Sequence, residues 1–215
     1  LINAICERTP TGAGRGQRHA AKSRRVDEAL GKQAVIEGAS ESVCTQLGIP
    51  PEWATRCEDS AHVGHDETSE ALASRLDWHL ANGTFRKFAD KATQLGSYGG
   101  GNHFGECEIV HIEDNERARQ ASNVFGLKDR HVAFLSHCGS RGVGHNLAMG
   151  QFKALQSKFA KWDIPLPGND CELVYAPLGT TEADEYIDDM SLGANFATVN
   201  HLLINSLVLE AFQEV

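Results

Sequence analysis

Two glycine-rich segments carry the residues best suited to chemistry. The first runs Leu95-Gly-Ser-Tyr-Gly-Gly-Gly-Asn-His-Phe-Gly-Glu106. Three consecutive glycines let backbone N–H groups approach a ligand, because no Cβ intervenes and positive φ is free. That suits a phosphate or a nucleotide, and Asn102, His103 and Glu106 add an amide, an imidazole and a carboxylate. The second runs Val132-Ala-Phe-Leu-Ser-His137-Cys-Gly-Ser-Arg141-Gly-Val-Gly-His145. Here an apolar strand delivers His137 to its end, and a glycine turn leads into a helix expected after Asn146. Free N–H groups and the helix dipole both favour an anion at such a junction. Arg141 can add a bidentate contact. No GK[ST] occurs, which excludes a Walker A loop, and the order GxxGxG is wrong for a dinucleotide fingerprint. The plainer reading of either loop is a glycine turn beside a hydrogen-bonded histidine.

Taken together, the loops offer two imidazoles, His103 and His137, next to backbone suited to phosphate. Two imidazoles can bind Mn²⁺ or Zn²⁺, but a catalytic metal usually has three or more ligands. Either there is no metal or further ligands lie elsewhere. Cys57, His62, His65 and Asp66, spaced C-x4-H-x2-H-D, are a weaker zinc candidate in a polar, loop-like stretch. His19, His79, His111, His131, His145 and His201 read as ordinary surface or core histidines.

The elements that must position these loops follow from pattern. Leu1 to Arg8 reads as a short helix, followed by a Pro/Gly-punctuated loop at Thr9 to Gly16 and a basic connection. Ser40 to Leu47 is a short helix stopped by Gly48 and Pro50-Pro51. Ser69 to Leu80 and Phe85 to Leu95 are helical in pattern, broken at Asn82-Gly83. Cys107 to Ile112 and His131 to Ser136 are β-branched and aromatic runs that read as strands. Phe152, Leu155, Phe159 and Trp162 form one helical face, and Asp163 to Gly168 is a loop. A long helix starts with the capping-box-like Thr181-Glu-Ala-Asp184 and carries Tyr186, Met190, Ala194, Ala197, Leu203 and Leu207. The mixture is α+β.

The chain has 215 residues, 41% of them hydrophobic, with 20 Lys+Arg against 29 Asp+Glu, for a net charge of −9. That length fits one domain with a sizeable core. The composition excludes disorder, collagen and a long coiled coil. No continuous apolar run reaches the roughly 18 residues of a membrane span. The charge is uneven: Arg8, Arg15, Arg18, Lys22, Arg24 and Arg25 fall in one stretch without an acid, and Trp162 to Val215 holds no Lys or Arg. The basic stretch is either a solvated face or a path for a phosphate backbone. Six scattered cysteines without a CxxC pair fit reduced thiols and a cytoplasmic location. The chain begins at Leu1 and ends at Val215 on an apolar helical stretch, as an internal piece would.

Gln94-Leu-Gly-Ser-Tyr-Gly-Gly-Gly-Asn-His-Phe-Gly-Glu106 followed by Ser136-His-Cys-Gly-Ser-Arg-Gly-Val-Gly144 strongly resembles the RtcB family of RNA-splicing ligases. Ile-x-x-x-x-Pro-x-Gly at Ile5 to Gly12, and Tyr-x-x-Asp-Met-x-x-x-Ala-x-x-Ala-x-x-Asn at Tyr186 to Asn200, occur in the matching order. The resemblance implies an RtcB-like fold of mixed sheets with flanking helices, incomplete at both ends. Residues 1–215 would be the central part of one catalytic domain. It implies a ligase dependent on GTP and two Mn²⁺ ions. Such a ligase joins RNA 3′-phosphate or 2′,3′-cyclic phosphate ends to 5′-hydroxyl ends, in tRNA splicing or RNA repair. RNA (tRNA halves or broken RNA) and GTP would be its partners, with accessory proteins unidentified.

By the same resemblance His103 and His137 are Mn²⁺ ligands. Asn102, His103, Phe104, Gly105 and Glu106 belong to the GTP site, with Glu106 on guanosine, and Arg141 meets RNA phosphate. The family's Asp-x-Gly-Cys metal segment would precede Leu1, and its guanylylated histidine would follow Val215. The catalytic nucleophile is therefore expected outside these residues, and the 215-residue piece alone is expected to be inactive. Cys138 stands where serine is common, and His201 where arginine usually follows the asparagine. A metal- or RNA-binding segment without catalysis, and a metal-dependent RNA phosphoesterase, are the competing readings.

Overall fold

Among the described residues, seven shorter α-helices and a two-stranded ribbon surround one long helix. In chain order these are α1 (Ile2–Arg8), α2 (Glu28–Glu37), α3 (Glu41–Leu47), α4 (Asp66–Ala81), α5 (Phe88–Ala92), β1 (Phe104–Ile109), α6 (Glu116–Phe125), β2 (Val132–His137), α7 (Arg141–Phe159) and α8 (Thr181–Glu214). The structure, a computed structural model, describes residues 1–57, 66–159, 161–163 and 173–215.

Helix α8 is the axis. Thr180 caps it, its hydroxyl accepting from Ala183 N–H, and Glu182 and Asp184 stand in the first turn where the helix dipole favours negative charge. Leu192, Phe196, Val199, Leu203 and Leu207 are at most 2% exposed and pack against α2, α4 and α7. By length and composition α8 could cross a membrane: its most apolar 18-residue window averages 1.3 in hydropathy. That property is invisible as a continuous apolar run because polar residues such as Asn195 and Asn200 interrupt it. Since 67% of that window is buried inside the protein, α8 serves here as a core helix.

The α+β class holds, but in place of mixed sheets the described residues form one antiparallel ribbon, with Phe104 opposite His137 and Ile109 opposite Val132. β1 begins three residues before the expected Cys107, because pairing with β2 recruits the glycine-flanked Phe104-Gly-Glu106. The run Phe85 to Leu95 shortens to α5: Gln94 and Leu95 bond three residues back, to Lys91 and Ala92, and that tightened turn aims the chain into the first glycine loop. α7 starts at Arg141 rather than after Asn146, so Gly142 and Gly144 are helical. α2 and α6 have no counterpart in the sequence reading. α2 arises within the supposed basic connection, where Asp27 caps it by accepting from Leu30 N–H and Leu30, Ala34 and Val35 are buried.

The basic stretch is largely neutralised. Arg8 pairs with Glu214, Lys22 with Glu214 and Glu7, Arg24 with Glu210, and Arg18 with Asp90. The acidic end of α8 thus lies against it, which leaves Arg15 and Arg25 as its cations without an ion pair among the described residues. The exposed pairs among these, Arg18 with Asp90 and Lys22 with Glu7 and Glu214, contribute about 0–1 kcal/mol each, whereas Arg8 is buried.

Candidate active site

Buried amides bring the two glycine loops together. Asn200 is 0% exposed and meets both loops from the middle of α8. Its Oδ1 accepts from Gly96 N–H at 2.8 Å and Ser97 N–H at 3.3 Å, while its Nδ2 donates to Ser97 O at 3.3 Å and Gly139 O at 2.9 Å. A second stitch joins Gln94 Oε1 to Gly142 N–H at 2.9 Å. The buried Gln17 donates to Arg8 O and Gly96 O and accepts from Arg24 N–H, which adds the N-terminal loop. That loop also pairs with the first glycine loop directly: Tyr98 N–H donates to Pro10 O, and Gly12 N–H to Tyr98 O.

Strand pairing then sets the histidines. Because Phe104 lies opposite His137 in the ribbon, their rings stack with centroids 5.6 Å apart and planes 18° apart. His103, one residue earlier, brings its ring centroid to 5.9 Å from that of His137. His103 Nδ1 donates to Gly100 O at 2.7 Å, since a carbonyl only accepts. Nε2 is thereby left with its lone pair in the neutral ring, the arrangement that metal-binding histidines adopt. The His137 ring makes no hydrogen bond among the described residues.

His201 belongs to the same neighbourhood. Its Nδ1 donates to Ala197 O at 2.9 Å. Burial pushes its pKa below the usual histidine value despite that bond, and charge on His137 and His103 pushes it further down. It remains a half-buried helix histidine, as its sequence context suggested, but one close enough to the pair to feel their charge. The one signal available was that it directly follows the Asn200 of the quoted pattern. Even so, no three His, Cys, Asp or Glu side chains among the described residues are grouped so that they could hold a metal ion. His103 and His137 fit as two ligands of an incomplete set.

Arg141 lies in the left-handed region at φ 51°, a conformation that costs a non-glycine residue about 1 kcal/mol or more. Three hydrogen bonds hold it there: Nε to Ser97 Oγ at 3.2 Å, and an Nη to Gly12 O and Arg15 O at 3.0 Å each. Burial lowers its pKa, and no carboxylate among the described residues pairs with it. A half-buried guanidinium without a counter-ion, beside two imidazoles, attracts an anion. Gly99 is what lets it approach: a Cβ there would sit 2.6 Å from Arg141 Nη1 and 2.7 Å from His103 Nδ1. We expect Gly99→Ala to displace both side chains and to weaken binding of inorganic phosphate about tenfold by calorimetry, with little change in the circular dichroism spectrum.

The other expected site residues divide. Phe104 joins the histidine pair. Gly105 is a packing glycine, since a side chain there would strike the Tyr98 hydroxyl and the Phe134 ring. Asn102 is exposed in the turn, and Glu106 is exposed on β1, on the strand face it shares with Phe104. Cys138 turns away into an apolar cluster with Tyr98, Ile204 and Val208, and burial pushes its thiol up to about 12. In the zinc candidate, His62 and His65 lie outside the described residues, and Cys57 donates to Trp53 O against the apolar core. Sequence reasoning missed the connecting amides Gln17 and Gln94, although Gln94 opens the quoted motif.

The family model described as tRNA-splicing ligase RtcB matches residues 1–215. The tRNA-splicing ligase RtcB of Pyrococcus furiosus is 41% identical over 218 residues, covering all of this chain and 20% of the relative. That of Pyrococcus abyssi is 32% identical over 218 residues, again all of the chain and 21% of the relative. That of Methanococcus maripaludis is 31% identical over 198 residues, 89% of the chain and 39% of the relative. The chain therefore spans between about a fifth and two fifths of the length of these relatives. With the family's match running unbroken through both glycine loops and the helix that ties them, this chain belongs to the RtcB family of tRNA-splicing ligases.

Proposed function

We propose that the two loops form part of the reaction centre of an RNA ligase joining 3′-phosphate or 2′,3′-cyclic phosphate ends to 5′-hydroxyl ends with GTP and Mn²⁺. The observation that carries this reading is the convergence of two imidazoles and an unpaired guanidinium on one turn, Gly139 to Arg141. In it His103 and His137 would hold Mn²⁺, which when bound neutralises charge on phosphoryl oxygens. The stretch Asn102 to Glu106 borders the GTP side, with the Glu106 carboxylate as acceptor for guanine N–H groups. Arg141 orients the RNA phosphate, and its backbone tethers hold that charge in place before substrate arrives. The reading puts the protein in the cytoplasm, acting on tRNA halves or broken RNA.

The test uses the intact protein with one RNA ending in a 3′-phosphate and another starting with a 5′-hydroxyl. Joining is expected with GTP and Mn²⁺ together and with neither alone. His137→Ala should abolish joining and weaken Mn²⁺ binding, read by electron paramagnetic resonance, about a hundredfold. Release of phosphate from the 3′ end without GTP would instead make the protein a phosphoesterase. RNA binding without either reaction would make it a binding protein.

A further inference from the structure

We propose that the cavity between α7 and α8 receives the nucleobase of an RNA end whose phosphate lies at the Gly139–Arg141 turn. This rests on the ligase reading above and adds a subsite to it. The cavity has a volume of about 410 Å³, within the ~300–1,000 Å³ of small-molecule sites. Small residues on facing helices, Gly144 and Ala148 on α7 with Ala194 and Ala197 on α8, make it a slot between two walls. Flat rings suit such a slot. Tyr186, 40% exposed, and Met190, 56% exposed, stand at its border as adaptable apolar surface for a base.

Two further observations point to a nucleotide rather than an aliphatic ligand. The first is Gln151, which lines the cavity and is 5% exposed. Its Nε2 donates to Asp189 Oδ2 at 2.6 Å, which fixes the amide orientation because a carboxylate only accepts. The remaining oxygen, Oε1, accepts no hydrogen bond among the described residues. It is not sealed from solvent, since Arg8 Nε is the one buried side-chain polar atom left without a partner among the described residues. On a side chain that lines the cavity it is an acceptor open to a donor, such as an exocyclic amino group or ring N–H of a base. The second is continuity with the reaction centre. Gly139 and Ser140 line the cavity, two and three residues after His137; Asn200 holds Gly139 O, and a Cβ built on Gly139 would lie 3.9 Å from His103 Nε2. A nucleotide spanning cavity and turn would place its base on Gln151 and its phosphate against Arg141 and the start of α7.

The experiment titrates the intact protein with a 3′-phosphorylated RNA whose last base is 2-aminopurine, and with the same RNA abasic at that position. Fluorescence reports the first and competition the second. Wild type should bind the base-bearing end about tenfold more tightly, the usual effect of stacking one base. Ala194→Leu, which fills the slot while keeping helix propensity, should erase that preference without weakening the abasic end. Tyr186→Ala, at the exposed border, should reduce it without affecting folding. Equal binding of both ends by wild type overturns the assignment, as does a preference that survives both substitutions. A protein that joins no RNA ends overturns the ligase reading and this subsite together. One that joins base-bearing and abasic ends equally well overturns the subsite alone.

Discussion

Replacing Asn200 with alanine should destabilise the intact protein by about 3–5 kcal/mol and uncouple the two glycine loops. The amide satisfies two N–H groups and two carbonyls, all close to α8 in the interior. Each buried backbone group left unpaired costs about 1–3 kcal/mol, and alanine supplies neither donor nor acceptor. The consequence for the site is specific. Gly139 O loses its tether, and with it the turn that faces His103 and carries Arg141. Urea unfolding should show the stability loss. Amide exchange should show Gly96 and Ser97 losing protection before the rest of α8, and Mn²⁺ affinity should fall along with it. Unchanged protection at those two amides would remove Asn200 from its positioning role.

The second large effect is expected at Asp189, 3% exposed, where three elements meet. Arg75 Nε donates to Oδ1 at 2.7 Å, His79 Nε2 to the same oxygen at 2.6 Å, and Gln151 Nε2 to Oδ2 at 2.6 Å. These donors come from α4 and α7, so one carboxylate on α8 pins both helices. Asp189→Asn keeps the shape but leaves the buried Arg75 guanidinium only the more exposed Glu185 carboxylate, 3.6 Å away, as an ion-pair partner, a loss of about 3 kcal/mol. Burial by itself raises the Asp189 pKa, yet the bonds from His79, Arg75 and Gln151 outweigh it and hold the carboxyl below the usual range. The folded pKa is thus lower than the unfolded one, near 3.9. Stability from Asp189 is then fully present above about pH 4 and lost as pH falls through the lower folded value. Thermal melts from pH 6 to pH 2.5 should show wild type losing its advantage over Asp189→Asn in that acid window. A constant difference across the range would contradict the network.

Much of this was legible in the residues themselves. The helices α1, α3, α4 and α8, and the strand carrying His137, follow from apolar spacing and from stop signals such as Gly48 and Asn82-Gly83. Local physics suffices there, because periodicity and capping act within a few residues. The two loops announced themselves for the same reason: glycine runs beside histidine have chemical meaning wherever they fold. α2 and α6 were missed because their patterns are weak. In α2, Leu30, Ala34 and Val35 are few and small, so α8, packed over them, decides the helix.

What the sequence by itself determined is therefore the content of the site: His103, His137 and Arg141, each delivered by glycine-rich backbone beside a short strand. Only the tertiary structure decided their relations. Phe104 stacks on His137 because of strand register, His201 joins them from a helix 64 positions beyond His137, and Arg141 is held by carbonyls of the N-terminal loop. Spacing within one segment cannot encode such contacts, since they exist only once α8 has buried its apolar face and carried Asn200 between the loops. The basic stretch shows the same logic in reverse. Read alone it fitted either a solvated face or a path for a phosphate backbone, but folding brings Glu210 and Glu214 onto it, so much of that charge is paired between the early loop and the end of α8.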